Sequence, residues 1–224
     1  MSGIFASDSA LSRLLSKVAD LMILNILFIV TSLPIVTIGA SLTALNFVAL
    51  RYPKNQYESI PRDYLRSFKQ NFRQATISWG VLVLVGAALA AWYVLVTNLT
   101  LGAVVQLILL VVWYVLAVAF VGTALWVFPY LSRFEGSTRE VFRNARLMSW
   151  RHPLATLTIV VILGLSILLT VFYPQLVGYG LFWFVIGFAA VAVLQGLMFA
   201  RVFRKYAPAT AAVVPATADV ADEV

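Results

Sequence analysis

The chain contains no cysteine and a single histidine, His152. The first absence excludes disulfides, thiolate metal sites and cysteine nucleophiles, and the two together leave no His/Cys metal cluster. There is no glycine-rich phosphate loop, nucleophile elbow or HExxH pattern. Neither a catalytic site nor a cofactor is therefore expected, and the reading is of a protein that is not an enzyme. Charge is also scarce, at 11% of residues against about 25% in soluble domains. What fills the space is apolar. Hydrophobic residues make up 62% of the 224, and the mean hydropathy is +0.95. That excess is too large for a rich core, and it points to an integral membrane protein.

Where the charges fall sharpens the point. Segments 21–50, 74–132 and 153–200 hold no Asp, Glu, Lys or Arg. A helix crosses a hydrocarbon core of roughly 30 Å with about 20 apolar residues, so the second and third segments each hold two spans. Both carry a helix-breaking cluster, Thr97 to Gly102 in one and Tyr173-Pro174-Gln175 through Gly178-Tyr179-Gly180 in the other. Spans are expected near 75–97, 103–131, 154–173 and 181–200. Polar/apolar alternation of the kind a membrane barrel needs is missing, so the fold class is all-α, a polytopic transmembrane bundle.

Segment 21–50 admits two readings. It is too long for one upright helix, and Pro34 and Gly39 interrupt its middle. A single kinked span gives five crossings; a hairpin with arms near 14–33 and 35–50 gives six. The hairpin is narrowly preferred. Its first arm brings Lys17 and Asp20 into the interface, three residues apart and able to pair or snorkel. Ser7 or Ser9 would cap this arm, with Leu11, Leu14, Leu15 and Val18 on one face. The start of the chain does not read as a cleaved signal.

The loops set the orientation. Arg51 to Arg73, Arg133 to Arg151, and Arg201, Arg204 and Lys205 are the basic segments, while the turns at 97–102 and 174–180 are uncharged. Basic loops stay in the cytoplasm, which places segments 51–74 and 132–152 and the C-terminus there. Two cytoplasmic amphipathic helices are expected. One, over 57–74, carries Arg62, Arg66, Lys69 and Arg73 beside Tyr64, Leu65, Phe68 and Phe72. The other carries Arg139, Arg143 and Arg146 beside Phe142, Ala145 and Met148. Such helices lie in the interface with their apolar face down, against anionic headgroups. The net charge of +7 is read in that light, and nucleic acid is not expected as a partner. The order of basic helix, span, turn and span occurs twice, as a parallel repeat of organisation.

Ionisable groups are missing from the spans, which argues against proton coupling through a buried carboxylate. A neutral-solute path lined by amides and hydroxyls stays open. The candidate polar and broken-helix positions are Asn25, Pro34, Thr37, Gly39 and Asn46, with Gln106 and Gln195 further along. Asn25 and Asn46 flank Pro34, and in a hairpin they approach each other or cap freed carbonyls. Trp92, Tyr93, Tyr173, Tyr179 and Trp183 on one side, and Trp79, Trp126, Tyr130 and Trp150 on the other, form an aromatic belt. Asn98-Leu99-Thr100 matches a glycosylation sequon by chance in so tight a turn. The domain is taken as 1–206, and 207–224 as a disordered tail.

The run Asn25-Ile26-Leu27-Phe28 to Ser32-Leu33-Pro34-Ile35-Val36-Thr37-Ile38-Gly39-Ala40, with Thr43-Ala44-Leu45, resembles the YesL family of bacterial membrane proteins. Ser67 to Thr76 resembles that family's next signature, and Phe128-Pro129-Tyr130-Leu131-Ser132-Arg133-Phe134-Glu135 with Asn144-Ala145 a third. The resemblance spans about residues 10–205. The family is a domain of unknown function, found beside carbohydrate ABC-transporter and glycoside-hydrolase genes. It implies the bacterial inner membrane and an accessory role in sugar uptake, with permease or ATPase subunits as partners. It transfers no catalytic residue.

Overall fold

A computed structural model describes residues 10–99 and 102–206. Seven α-helices occur among the described residues: α1 (Ala10–Ser32), α2 (Ile38–Arg51), α3 (Ile60–Asn98), α4 (Ala103–Leu131), α5 (Thr138–Arg151), α6 (Pro153–Phe172) and α7 (Phe188–Phe203). No strand occurs among the described residues. Among the described residues, six helical stretches are long and apolar enough to cross a membrane, including Leu11–Ser32 and Ile35–Lys54. The expected caps Ser7 and Ser9, the sequon's Thr100 and the tail 207–224 lie outside the described residues.

Segment 21–50 is a hairpin. α1 stops at Ser32, Pro34 adopts an extended backbone, and a 3₁₀ turn over Ile35–Thr37 leads into α2. Hydroxyls replace the lost ladder. Thr37 donates to the carbonyls of Thr31 (2.5 Å) and Pro34 (2.7 Å). The Thr31 hydroxyl donates to Leu27, accepts from Ser41 at 2.9 Å, and lies 2.6 Å from the Tyr64 phenol. At the other end Tyr52 donates to the Lys17 carbonyl and Tyr57 to the Asp20 carboxylate. These contacts run in opposite chain directions, so the arms are antiparallel. The partner of Asp20 is Tyr57, not Lys17, and burial, helped by the Asp20 carboxylate, raises the Tyr57 pKa.

α2 is the centre of the bundle because its residues are small. Gly39, Ala40, Ser41, Thr43, Ala44 and Ala49 are all buried, and small side chains let helix backbones approach closely in lipid. A Cβ on Gly39 would strike the Ala75 carbonyl of α3 and come within 2.7 Å of the Trp79 Cβ. A Cβ on Gly196 of α7 would meet the Ala49 carbonyl at 2.9 Å. On α3 the buried positions Ile60, Tyr64, Ser67, Ala75, Ser78 and Leu82 recur at helical spacing and face α2.

α3 has 39 residues and is roughly 58 Å long at 1.5 Å per residue, about twice the hydrocarbon thickness. The expected basic helix over 57–74 and the span over 75–97 are thus one unbroken rod. No proline or glycine separates them, and the Tyr64–Ser78 face packs along α2 throughout. In the second half of the chain, His152 and Pro153 divide the corresponding pieces into α5 and α6. The repeat is one of order only.

α5 also departs from expectation. Its start is fixed by a capping box in which the Ser137 hydroxyl accepts from the Glu140 N–H while the Glu140 carboxylate accepts from the Ser137 N–H. That bonding holds the Glu140 pKa down. The buried residues of α5 are Val141, Ala145 and Met148, in one core cluster with α4 residues Trp126 to Leu131. Its apolar face therefore covers protein. Trp126 and Tyr130 are themselves core residues, 0% and 8% exposed, and not belt residues. Trp126 donates to Thr156 and meets Phe199 and Phe203 edge-on. Bulky apolar residues elsewhere point outward, as at Leu84, Val104, Leu154 and Ile167, which is the surface that lipid covers.

Candidate functional site

Three features gather polar groups, and each has a different geometry. The first is a staple between α1 and the wide turn before α7. Residues Trp183–Gly187 form a π-helical segment, which disrupts the regular ladder. Asn25, fully buried, repairs it. Its amide donates to the carbonyls of Trp183 and Phe184, both at 2.8 Å, and its oxygen accepts from the Ala189 N–H at 3.1 Å. Asn25 does cap freed carbonyls, but those of the π-helical turn ahead of α7 and not those beside Pro34. The Trp183 indole in turn donates to Thr170 on α6.

The second is a crevice among α1, α2, α6 and α7, with a neighbour among α2, α3, α4, α6 and α7. Each has a volume of about 460 Å³, and they share Leu42, Asn46, Leu163 and Gln195. Both are almost wholly apolar. Asn46 donates to the Leu42 carbonyl of its own helix, one turn back, and the Gln195 amide nitrogen is buried with no partner among the described residues. Of the polar positions singled out from sequence, Asn46 and Gln195 line both crevices. Gln106 donates to the Val96 carbonyl at the α3–α4 turn, whereas Pro34, Thr37 and Gly39 serve the hairpin turn and the α2–α3 contact.

The third is the basic end. Arg51, Lys54, Arg133 and Arg204 line one small pocket, which brings the C-terminal ends of α2, α4 and α7 together on one side of the bundle. Helix C-termini favour cations, so this cluster has a local electrostatic reason. Gln74 of α3 donates to the Gly136 carbonyl ahead of α5, tying the two basic helices to each other. Arg62 pairs with Glu58 at 3.3 Å and Arg66 with Asp63 at 3.0 Å. Lys69, Arg73, Arg139, Arg143 and Arg146 are exposed and have no ion-pair partner among the described residues. His152 shares a 2.8 Å hydrogen bond with Tyr206. Partial burial, Lys205 and Arg151 lower its pKa, so it stays neutral further into the acid range. No group of three or more His, Cys, Asp and Glu side chains that could hold a metal occurs among the described residues.

This arrangement defines an all-helical protein of the membrane-spanning class. Residues 21–93, which cover most of the hairpin and the greater part of α3, match a family described as a protein of unknown function, DUF624. No curated protein and no solved structure matches the chain.

Proposed function

We propose that this protein is a non-enzymatic accessory to carbohydrate uptake in the bacterial inner membrane, of the YesL type, with its termini and basic face in the cytoplasm. The observation that carries the reading is α3, a single unbroken rod about twice as long as the hydrocarbon is thick. Its exposed flank carries Lys69 and Arg73 without acidic partners, interleaved with the exposed apolar residues Leu65 and Phe72. A mixed basic and apolar surface on a fixed helix suits docking to another membrane protein's cytoplasmic face better than it suits headgroups alone. The partners proposed are the permease or ATPase subunits of an ABC transporter. The match of residues 21–93 to a domain of unknown function supports the family without specifying a partner.

A second reading, a small transporter for a neutral solute, draws on one observation. Gln195 keeps an unpartnered buried amide beside Asn46, where the two crevices meet. One experiment separates the two. Affinity purification of a tagged copy from mild detergent should recover permease or ATPase subunits, and Lys69→Glu with Arg73→Glu should lose them. Recovery of lipid alone, with sugar flux in proteoliposomes that Asn46→Leu abolishes, would overturn the accessory reading in favour of transport.

A further inference from the structure

α5 closes one end of a lateral groove, and the groove and the helix together have the chemistry of a phospholipid site. The groove runs between α3 and α4, with walls that include Val81, Val85 and Phe120, and has a volume of about 480 Å³. That lies within the roughly 300–1,000 Å³ typical of ligand pockets. Arg139, Arg143 and Arg146 line the same groove. They stand four and three residues apart on one helix, where like charges repel. The nearest acid in sequence, Glu140, has its carboxylate engaged by the N–H and hydroxyl of Ser137 at 2.8 and 2.9 Å. The ion pairs among the described residues are both on or beside α3, at Arg62 and Arg66. Three guanidiniums are thus held together at the mouth of an apolar trough, and Glu140, whose charge Arg143 favours, forms no ion pair with them among the described residues.

We propose that this groove binds one anionic phospholipid, with its phosphate on Arg139, Arg143 and Arg146 and an acyl chain between α3 and α4. Guanidinium forks match phosphate oxygens in paired hydrogen bonds. The charge cluster selects an anionic headgroup, and the trough selects a ligand that also carries a chain. Because α5 packs its other face on α4 through Val141, Ala145 and Met148, the arginines are held in place before the lipid arrives. The site rests on the membrane-spanning reading, but not on any link to sugar uptake, so either can fail alone.

The test uses the full chain, delipidated in detergent and incubated with dioleoyl phosphatidylglycerol, dioleoyl phosphatidylcholine or inorganic phosphate. Lipid retained after gel filtration is counted by mass spectrometry. Phosphatidylglycerol should be retained at close to one per chain and phosphatidylcholine should not. Apparent affinity should fall about fivefold for Arg143→Gln alone and on the order of 100-fold for Arg139→Gln, Arg143→Gln and Arg146→Gln combined. Ala119→Trp, which fills the groove without changing charge, should also release the lipid, while Lys69→Gln with Arg73→Gln should retain it. Equal retention of phosphatidylcholine would overturn the proposal. So would unchanged retention by Arg143→Gln and Ala119→Trp, or competition by millimolar phosphate that matches phosphatidylglycerol.

Discussion

Replacing Gly39 with leucine is expected to prevent assembly of the bundle, whereas Gly80→Leu should leave it intact. Even a methyl group at Gly39 collides with the Ala75 carbonyl and crowds Trp79, and a main-chain carbonyl cannot rotate aside. Overpacking of this kind costs about 1–3 kcal/mol for small additions and more for large ones. Gly39→Ala should therefore lower the midpoint of thermal unfolding in detergent by about 3–10 °C, at roughly 2–4 °C per kcal/mol for a chain of this size. Gly39→Leu should yield no monodisperse species on gel filtration. Gly80 lies on the same long helix pair, but a Cβ there meets nothing within 4 Å, so its leucine variant is the control. A Gly39→Leu protein as stable as the parent would mean that α2 and α3 do not pack at this register.

The second large effect is at Asn25. Asn25→Leu keeps the volume roughly constant but deletes three hydrogen bonds, two from the amide to the π-helical turn and one to its oxygen from Ala189 of α7. Polar groups stranded in an apolar interior cost about 1–3 kcal/mol each, and side-chain hydrogen bonds within membranes average nearer 0.6 kcal/mol. A loss of about 2–4 kcal/mol is expected, seen as a fall of about 5–15 °C in the same unfolding assay. Asn98→Leu is the matched control. Asn98 is exposed and its amide bonds, among the described residues, to the Val94 carbonyl of its own helix, so it should shift the midpoint by less than about 2 °C. Equal shifts for the two variants would show that Asn25 does not hold α1 to α7.

Much of this architecture was legible because charges cannot be hidden in hydrocarbon. The uncharged segments located the spans, and the proline and glycine clusters located the turns. The hairpin was less certain from sequence, since Pro34 is compatible with a kink as well as a reversal. What decides it is the set of hydroxyls at Thr31, Thr37, Ser41 and Tyr64, whose meeting depends on packing between helices. Two other features were misread for the same reason. Trp126 and Tyr130 sit where belt aromatics belong along the chain, yet α5, α6 and α7 fold over them. The apolar stripe of α5 looks the same whether it faces lipid or α4. The partner of Asn25 was out of reach altogether, because the π-helical turn lies 158 residues away and its sequence, Trp183 to Gly187, carries no local mark.

α1 and α2 are expected to cross the membrane twice, so that the N-terminal helix starts on the same side as the basic helices. The absence of native cysteine makes this directly measurable. Single cysteines at Arg13, Lys54, Asn98, Arg143 and Gln175, all exposed, are treated on intact cells with a membrane-impermeant thiol reagent. Labelling is expected at Asn98→Cys and Gln175→Cys only, with Arg13→Cys, Lys54→Cys and Arg143→Cys reacting after the membrane is permeabilised. Labelling of Arg13→Cys from outside, with Lys54→Cys still protected, would mean an odd number of crossings and would contradict the hairpin on which the rest is built.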